Sequence, residues 1–326
     1  MIYNRKTVQG NFVSGLYTPI LLFTVSVVVW LVCTFLPLNR ECTIYPCAID
    51  PVGYYALSFV SLLFVLLASL ILNGINIFER RVRWLPALSM WLAAISFLLC
   101  SNFMLALGML LFVLSFFIIM SPRQYASVER LIYSVFALVA LSSLLLPQFI
   151  FFLPLYIIYL SISNMLGIRG MLASLLGLAT PYWLAFGLAY VYPAANVLLL
   201  PFYSGVAELF VVPSFHFGHL QAMLCLCEVP VLLPAIFLFA TTSVPAKPVL
   251  RRRLLLFIIA NICFLLLSSV EGNLGSLACA CSVPGVAVMA AYIFSFKITR
   301  LSNIYFIIIA FIWVLSFVYS LWTELY

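Results

Sequence analysis

The chain has 326 residues, of which 67% are apolar and only 7% charged, with a formal net charge of +7. That balance excludes a water-soluble globule, which would lack the polar surface to stay in solution, and leaves lipid as the solvent. It also argues against a nucleic-acid partner, because the 15 Lys and Arg are scattered over short gaps and form no basic domain able to make a groove.

All of these bases except Arg40 fall in alternate gaps between long apolar runs. Cytoplasmic loops are enriched in Lys and Arg, so such an alternation sets both the direction and the parity of the spans. At about 20 apolar residues per crossing, the expected architecture is an all-α polytopic transmembrane helix bundle of about eleven spans. It forms a single integral membrane domain, residues 1–326, in a bacterial inner membrane, with the amino terminus cytoplasmic and the carboxyl terminus periplasmic. The same bases favour anionic headgroups, which makes membrane lipids the first expected partners.

In chain order, Arg5 and Lys6 precede an apolar run at 16–35. It is too long for a signal-peptide core and lacks a small-residue cleavage site, so it is expected to remain as an anchor. An outer gap at 37–53 carries Arg40, Glu41, Asp50, Cys42 and Cys47, and a second span follows at 54–72. Arg80, Arg81 and Arg83 mark the return inside. Two tight hairpins come next, 84–100 with 103–120 and 131–146 with 149–163. They are turned by Ser101 and Asn102 and by Pro147 and Gln148, with Arg123, Arg130 and Arg169 on the inner side. Their arms are short enough to be partly re-entrant without disturbing the phase.

The seventh span, 171–190, leads into an ambiguous gap at 191–221. Counting 196–212 as a crossing would put Lys247 and Arg251 to Arg253 outside, so the gap is expected to hold an outer re-entrant or interfacial segment. Its lipid-facing stripe would carry Phe202, Val206, Leu209 and Phe210. The last four spans are 222–240, 254–270, 274–294 and 304–322. Small residues at close spacing, such as Ala173, Gly177 and Pro181 or Gly275, Cys279, Cys281 and Gly285, mark faces where helix backbones approach in lipid.

The stretch 154–190, with Arg169, Gly177, Leu178, Pro181 and Tyr182, resembles a block of an uncharacterised family of bacterial inner-membrane proteins. In that block a basic loop precedes a helix ending in Gly-Leu-x-x-Pro-Tyr. A second similar block lies at 252–300, with Pro284 and the run Ala-Val-Met-Ala-Ala-Tyr-Ile-Phe. The resemblance implies a membrane-helix fold and brings no activity with it.

Apart from Glu79 and Glu129, which sit among the inner bases, the acids and both His gather on the expected outer side: Glu41, Asp50, Glu208, His216, His219, Glu228, Glu271 and Glu324. Acids weigh little in topology, which is one explanation of the pattern. The other is a site at the outer interface. Asp50, Glu208, His216, His219 and Glu228 are its candidate catalytic residues, since they combine titratable chemistry with one membrane face. The sequence His216-Phe-Gly-His219 followed by Cys225, Cys227 and Glu228 also contains borderline metal ligands. Cys42 and Cys47 share one short outer loop and are candidates for a disulfide, because the outer compartment permits such bonds.

Three functions compete on this reading. The first is an envelope-biogenesis enzyme acting on a lipid-linked sugar at the outer face, with Asp50 or Glu41 as general base and Arg40 or a metal on the diphosphate. The second is a transporter or flippase, favoured if Asn73, Asn76, Asn164, Ser268 and Glu228 line one cavity; ion coupling asks for a buried ionisable group, and only Glu228 comes near to qualifying. The third is a non-catalytic subunit of a membrane assembly. No cofactor is indicated, and partners beyond lipid would be a lipid-linked substrate or other membrane subunits.

Overall fold

The computed structural model describes residues 8–15, 17–35, 51–74, 82–95, 99, 102–120, 127–192, 196–209, 219–241, 248–270, 272–296 and 300–325. Asp50, His216, Glu271 and the Cys42–Cys47 pair lie outside the described residues. No β-strand is formed among the described residues. The elements run α1 (Val8–Ser14), α2 (Thr18–Phe35), α3 (Pro51–Gly74), α4 (Leu85–Ile95), α5 (Phe103–Met120), α6 (Val128–Leu145), a 3-10 turn (Pro147–Phe152), α7 (Leu153–Ile162), α8 (Ile168–Val191), α9 (Asn196–Leu209), α10 (His219–Thr241), α11 (Pro248–Leu267), α12 (Asn273–Phe296) and α13 (Arg300–Leu325).

Every apolar run expected to cross the membrane coincides, in whole or in part, with one of these helices. Helix is what lipid demands, since no water is present to satisfy a free backbone N–H or C=O. Among the described residues, 6 helical stretches are long and apolar enough to cross: Tyr55–Gly74, Phe103–Met120, Val128–Leu145, Ile168–Val191, Asn273–Phe294 and Arg300–Tyr319. One arm of each hairpin is shorter: α4 has 11 residues, and the 3-10 turn with α7 forms the short apolar stretch Pro147–Ile162, against a hydrocarbon core of roughly 30 Å. α1 meets α2 at 88°.

The chain divides into two compact units, with a boundary inside α5: residues 1–107 with 215–326, and residues 108–214. In the second unit, α6 and α8 pack along Gly170, Ala173 and Gly177, all buried. A Cβ on Gly177 would stand 2.6 Å from the Tyr133 carbonyl oxygen of α6, so the close backbone approach requires glycine there. Tyr182, from the block quoted above, shares a 2.5 Å hydrogen bond with Ser143. Apart from this seam, α8 presents Leu172, Leu175, Leu176, Trp183 and Leu188 outward, as a lipid-facing helix does.

The described part of α9 has 14 residues, roughly 21 Å of helix. The stripe expected to face lipid turns inward instead at Phe202. That ring packs on Leu144, Ala189 and Leu199 and lies 5.8 Å from the Tyr182 ring and 5.9 Å from the Phe186 ring. Leu199, Phe202 and Gly205 recur at helical spacing. Gly205, lacking a side chain, seats this face against the Pro147 ring.

In the first unit, α12 is the central helix and is buried along nearly all of its length. Its sequence explains this: Gly275, Ala278, Cys279, Ala280, Cys281, Ser282, Gly285, Ala287, Ala290 and Ala291 are small on every face, so α4, α10 and α11 all approach it closely. α13 packs on α10, and α1 crosses the end where α12 passes to α13. There Phe12, Trp84, Phe294 and Phe306 form one aromatic cluster, with ring centroids 4.9 to 6.3 Å apart.

Candidate functional site

Among the described residues, the buried carboxyl of the first unit is that of Glu228, only 3% exposed. It is the tenth residue of the 23 in α10, so about 13 Å of helix lies on one side of it and about 20 Å on the other. The charge pattern alone assigns Glu228 to the outer edge of its span; the structure carries it well into the apolar interior. Isolated carboxylates are costly at that depth, and those that occur mark partners or function.

Its surroundings come from four helices. Ser282 of α12 lies near the carboxyl. The thiols of Cys225 and Cys227 on α10 and of Cys279 on α12 are also close to it. Cys225 Sγ stands 3.2 Å from Ser268 Oγ at the end of α11. Ser316 of α13 lies beside Cys227. Glu228 Oε1, Ser316 Oγ, Asn261 Oδ1 of α11 and Trp313 Nε1 of α13 are the buried side-chain atoms without a hydrogen-bond partner among the described residues. All four belong to α10, α11 and α13. Orphaned buried groups are rare because each costs roughly 1–3 kcal/mol, so their gathering in this bundle sets it apart from the rest of the chain.

Prolines shape the same bundle. A proline lacks the N–H that the carbonyl four residues earlier would accept. Pro230 and Pro234 of α10 and Pro284 of α12 therefore leave the carbonyls of Leu226, Pro230 and Ala280 without their helical donors. The Pro230 carbonyl is answered from another helix, by the Tyr305 hydroxyl of α13. Leu226 and Ala280 flank Glu228 and Ser282 in sequence. Helix breaks at membrane depth are tolerated where neighbouring groups re-satisfy the backbone or where a cavity needs them.

One further close approach holds the bundle together. Asn261 donates from Nδ2 to the Phe257 carbonyl at 2.8 Å, and its amide lies against Gly285, where a Cβ would come within 2.7 Å of Asn261 Cγ.

The five residues singled out from the sequence do not meet at one described place. Asp50 and His216 lie outside the described residues. Glu208 is on the last turn of α9 in the second unit, and His219 opens α10 nine residues, about 13 Å, before Glu228. Among the described residues no group of three or more His, Cys, Asp or Glu could hold a metal ion, so Cys225, Cys227 and Glu228 form no such cage. Of Asn73, Asn76, Asn164 and Ser268, which a transporter would place with Glu228 around one cavity, Ser268 joins its cluster through Cys225, Asn164 belongs to the second unit and Asn76 lies outside the described residues. Ser282, Ser316, Asn261 and Cys279 were not singled out as companions of Glu228. The signal that marks them is a polar or proline residue inside an otherwise apolar run.

The fold and this interior define an all-helical protein with helices built to cross a membrane. No protein-family model, curated protein or solved structure matches the chain.

Proposed function

We propose that the chain is a membrane transport protein of the bacterial inner membrane, in which Glu228 is the ion-handling group. The topology that accompanies this reading has eleven spans, the amino terminus inside and the carboxyl terminus outside, as the alternation of basic gaps implies. The observation that carries it is the burial of the Glu228 carboxyl in mid-helix, with Oε1 unpartnered and no basic residue acting on it among the described residues. An ionisable group kept at that depth without a compensating charge has a functional explanation before a structural one, because an apolar residue would be more stable there. The proline-interrupted helices α10 and α12 on either side of it support the same reading, since transporters place their sites at such discontinuities.

The enzyme reading needs carboxylates at the outer surface within reach of a large lipid-linked substrate. The buried Glu228 is not such a group.

The experiment is a solute-uptake screen. Purified protein is reconstituted into liposomes, an inward gradient of both protons and sodium is imposed, a mixture of polar metabolites is added, and the trapped solutes are profiled by mass spectrometry. Wild-type vesicles are expected to accumulate at least one solute that Glu228→Gln vesicles do not. Identical internal pools in the two preparations overturn the proposal.

A further inference from the structure

We infer that the ion handled at Glu228 is a proton, carried on the buried side chain as the neutral carboxylic acid. This rests on the transport reading of the same site and adds the identity of the coupling ion.

The unpartnered Oε1 of a carboxyl that is only 3% exposed points to it. A carboxylate is acceptor-only and keeps its charge on atoms that find no donor there, whereas the acid form is neutral. An unpartnered neutral carbonyl oxygen is costly, but a bare buried charge costs far more.

The other groups around Glu228 argue against a metal cation in the same place. From α10 they are the thiols of Cys225 and Cys227; from α12, the Cys279 thiol; from α11, the Ser268 hydroxyl held by Cys225. From α13 they are Ser316 and Tyr305, whose hydroxyl is committed to the Pro230 carbonyl. Hard cations ask for a shell of oxygens, and thiols are soft ligands that suit them poorly. The guanidinium of Arg251 on α11 stacks over the Phe239 ring at 5.2 Å, eleven residues or about 16 Å along α10 from Glu228, too far to neutralise a carboxylate there. Among the described residues, Glu228 is the one carboxyl of this cluster, so one proton satisfies its charge.

The test uses dicyclohexylcarbodiimide, an apolar reagent that enters the bilayer and reacts with protonated carboxyls. The acid proton passes to a carbodiimide nitrogen, the carboxyl oxygen adds to the central carbon, and an O-to-N acyl shift leaves a stable N-acylurea that peptide mass spectrometry locates. The full-length protein in native membranes is labelled over a pH series, with and without sodium. Labelling at Glu228 is expected, falling about tenfold per pH unit above its midpoint and unchanged by sodium at fixed pH. Glu228→Gln is expected to lose the adduct while keeping the wild-type elution position on gel filtration. Protection by sodium at constant pH, or no labelling of Glu228 at any pH in folded protein, overturns the proton assignment. The transport reading survives sodium protection and is decided separately by solute uptake, while a labelled Glu228 in a protein that carries no solute upholds the protonated acid and sinks the transport reading.

Discussion

The Tyr305 hydroxyl of α13 donates to the carbonyl of Pro230, the backbone acceptor of α10 that Pro234 leaves without a helical donor. Two prolines four residues apart therefore create a hole in the ladder of one helix, and a tyrosine from the next helix fills it. Tyr305→Phe keeps the ring and removes only the donor. Interhelical hydrogen bonds in membranes contribute about 0.5–2 kcal/mol, and a loss of that size is expected in the unfolding free energy measured by denaturant titration in detergent. An unchanged transition would mean that the Pro230 carbonyl finds another donor.

Gly285 and Asn261 make the second contact with a measurable consequence. A methyl group at Gly285 collides with the Asn261 amide, which is itself fixed to the Phe257 carbonyl. Gly285→Ala is expected to destabilise the protein by about 1–3 kcal/mol, the usual cost of overpacking. The double variant Gly285→Ala with Asn261→Ala is expected to recover part of that loss. The coupling is read from a double-mutant cycle of thermal midpoints, and strict additivity of the two substitutions would contradict the contact.

Gln9 ties α1 down through three hydrogen bonds, one from its backbone and two from its side chain. The Gln9 backbone N–H donates to Asn303 Oδ1 at 2.9 Å, Gln9 Nε2 donates to the Phe294 carbonyl at 2.9 Å, and Ser302 Oγ donates to Gln9 Oε1 at 2.6 Å. Gln9→Ala removes both side-chain bonds and leaves a buried carbonyl without its donor. At about 1–2 kcal/mol for such a loss, amide exchange in α1 is expected to speed up by roughly tenfold, while exchange in α12 stays as it was. Equal protection in wild type and variant would show that the aromatic cluster around Phe12 holds α1 without Gln9.

Much of the fold was readable from apolar length and charge alternation, because lipid permits few structures other than helix. The runs at 54–72, 103–120 and 274–294 each became a single long helix. The shortness of α4 and α7 was visible as the short arms of the two hairpins. The inward turn of Phe202 was not, since it depends on Gly205 meeting Pro147, a contact between residues 58 positions apart. The site was half readable. Glu228 could be named as the ionisable group nearest a span interior, yet grouping it with the outer acids missed its real neighbours. Which face of α10 meets Ser282 and Ser316 is settled by packing around a helix of small residues, and a single sequence holds no record of such pairings.

The most direct measurement is the charge movement of the reconstituted protein on a solid-supported membrane after a rapid drop in external pH. If Glu228 takes up a proton inside the bundle, wild-type protein gives a transient current that Glu228→Gln abolishes and Cys225→Ser retains. Equal currents from wild type and Glu228→Gln, or none from either while both remain folded, would contradict an ion-handling role for Glu228.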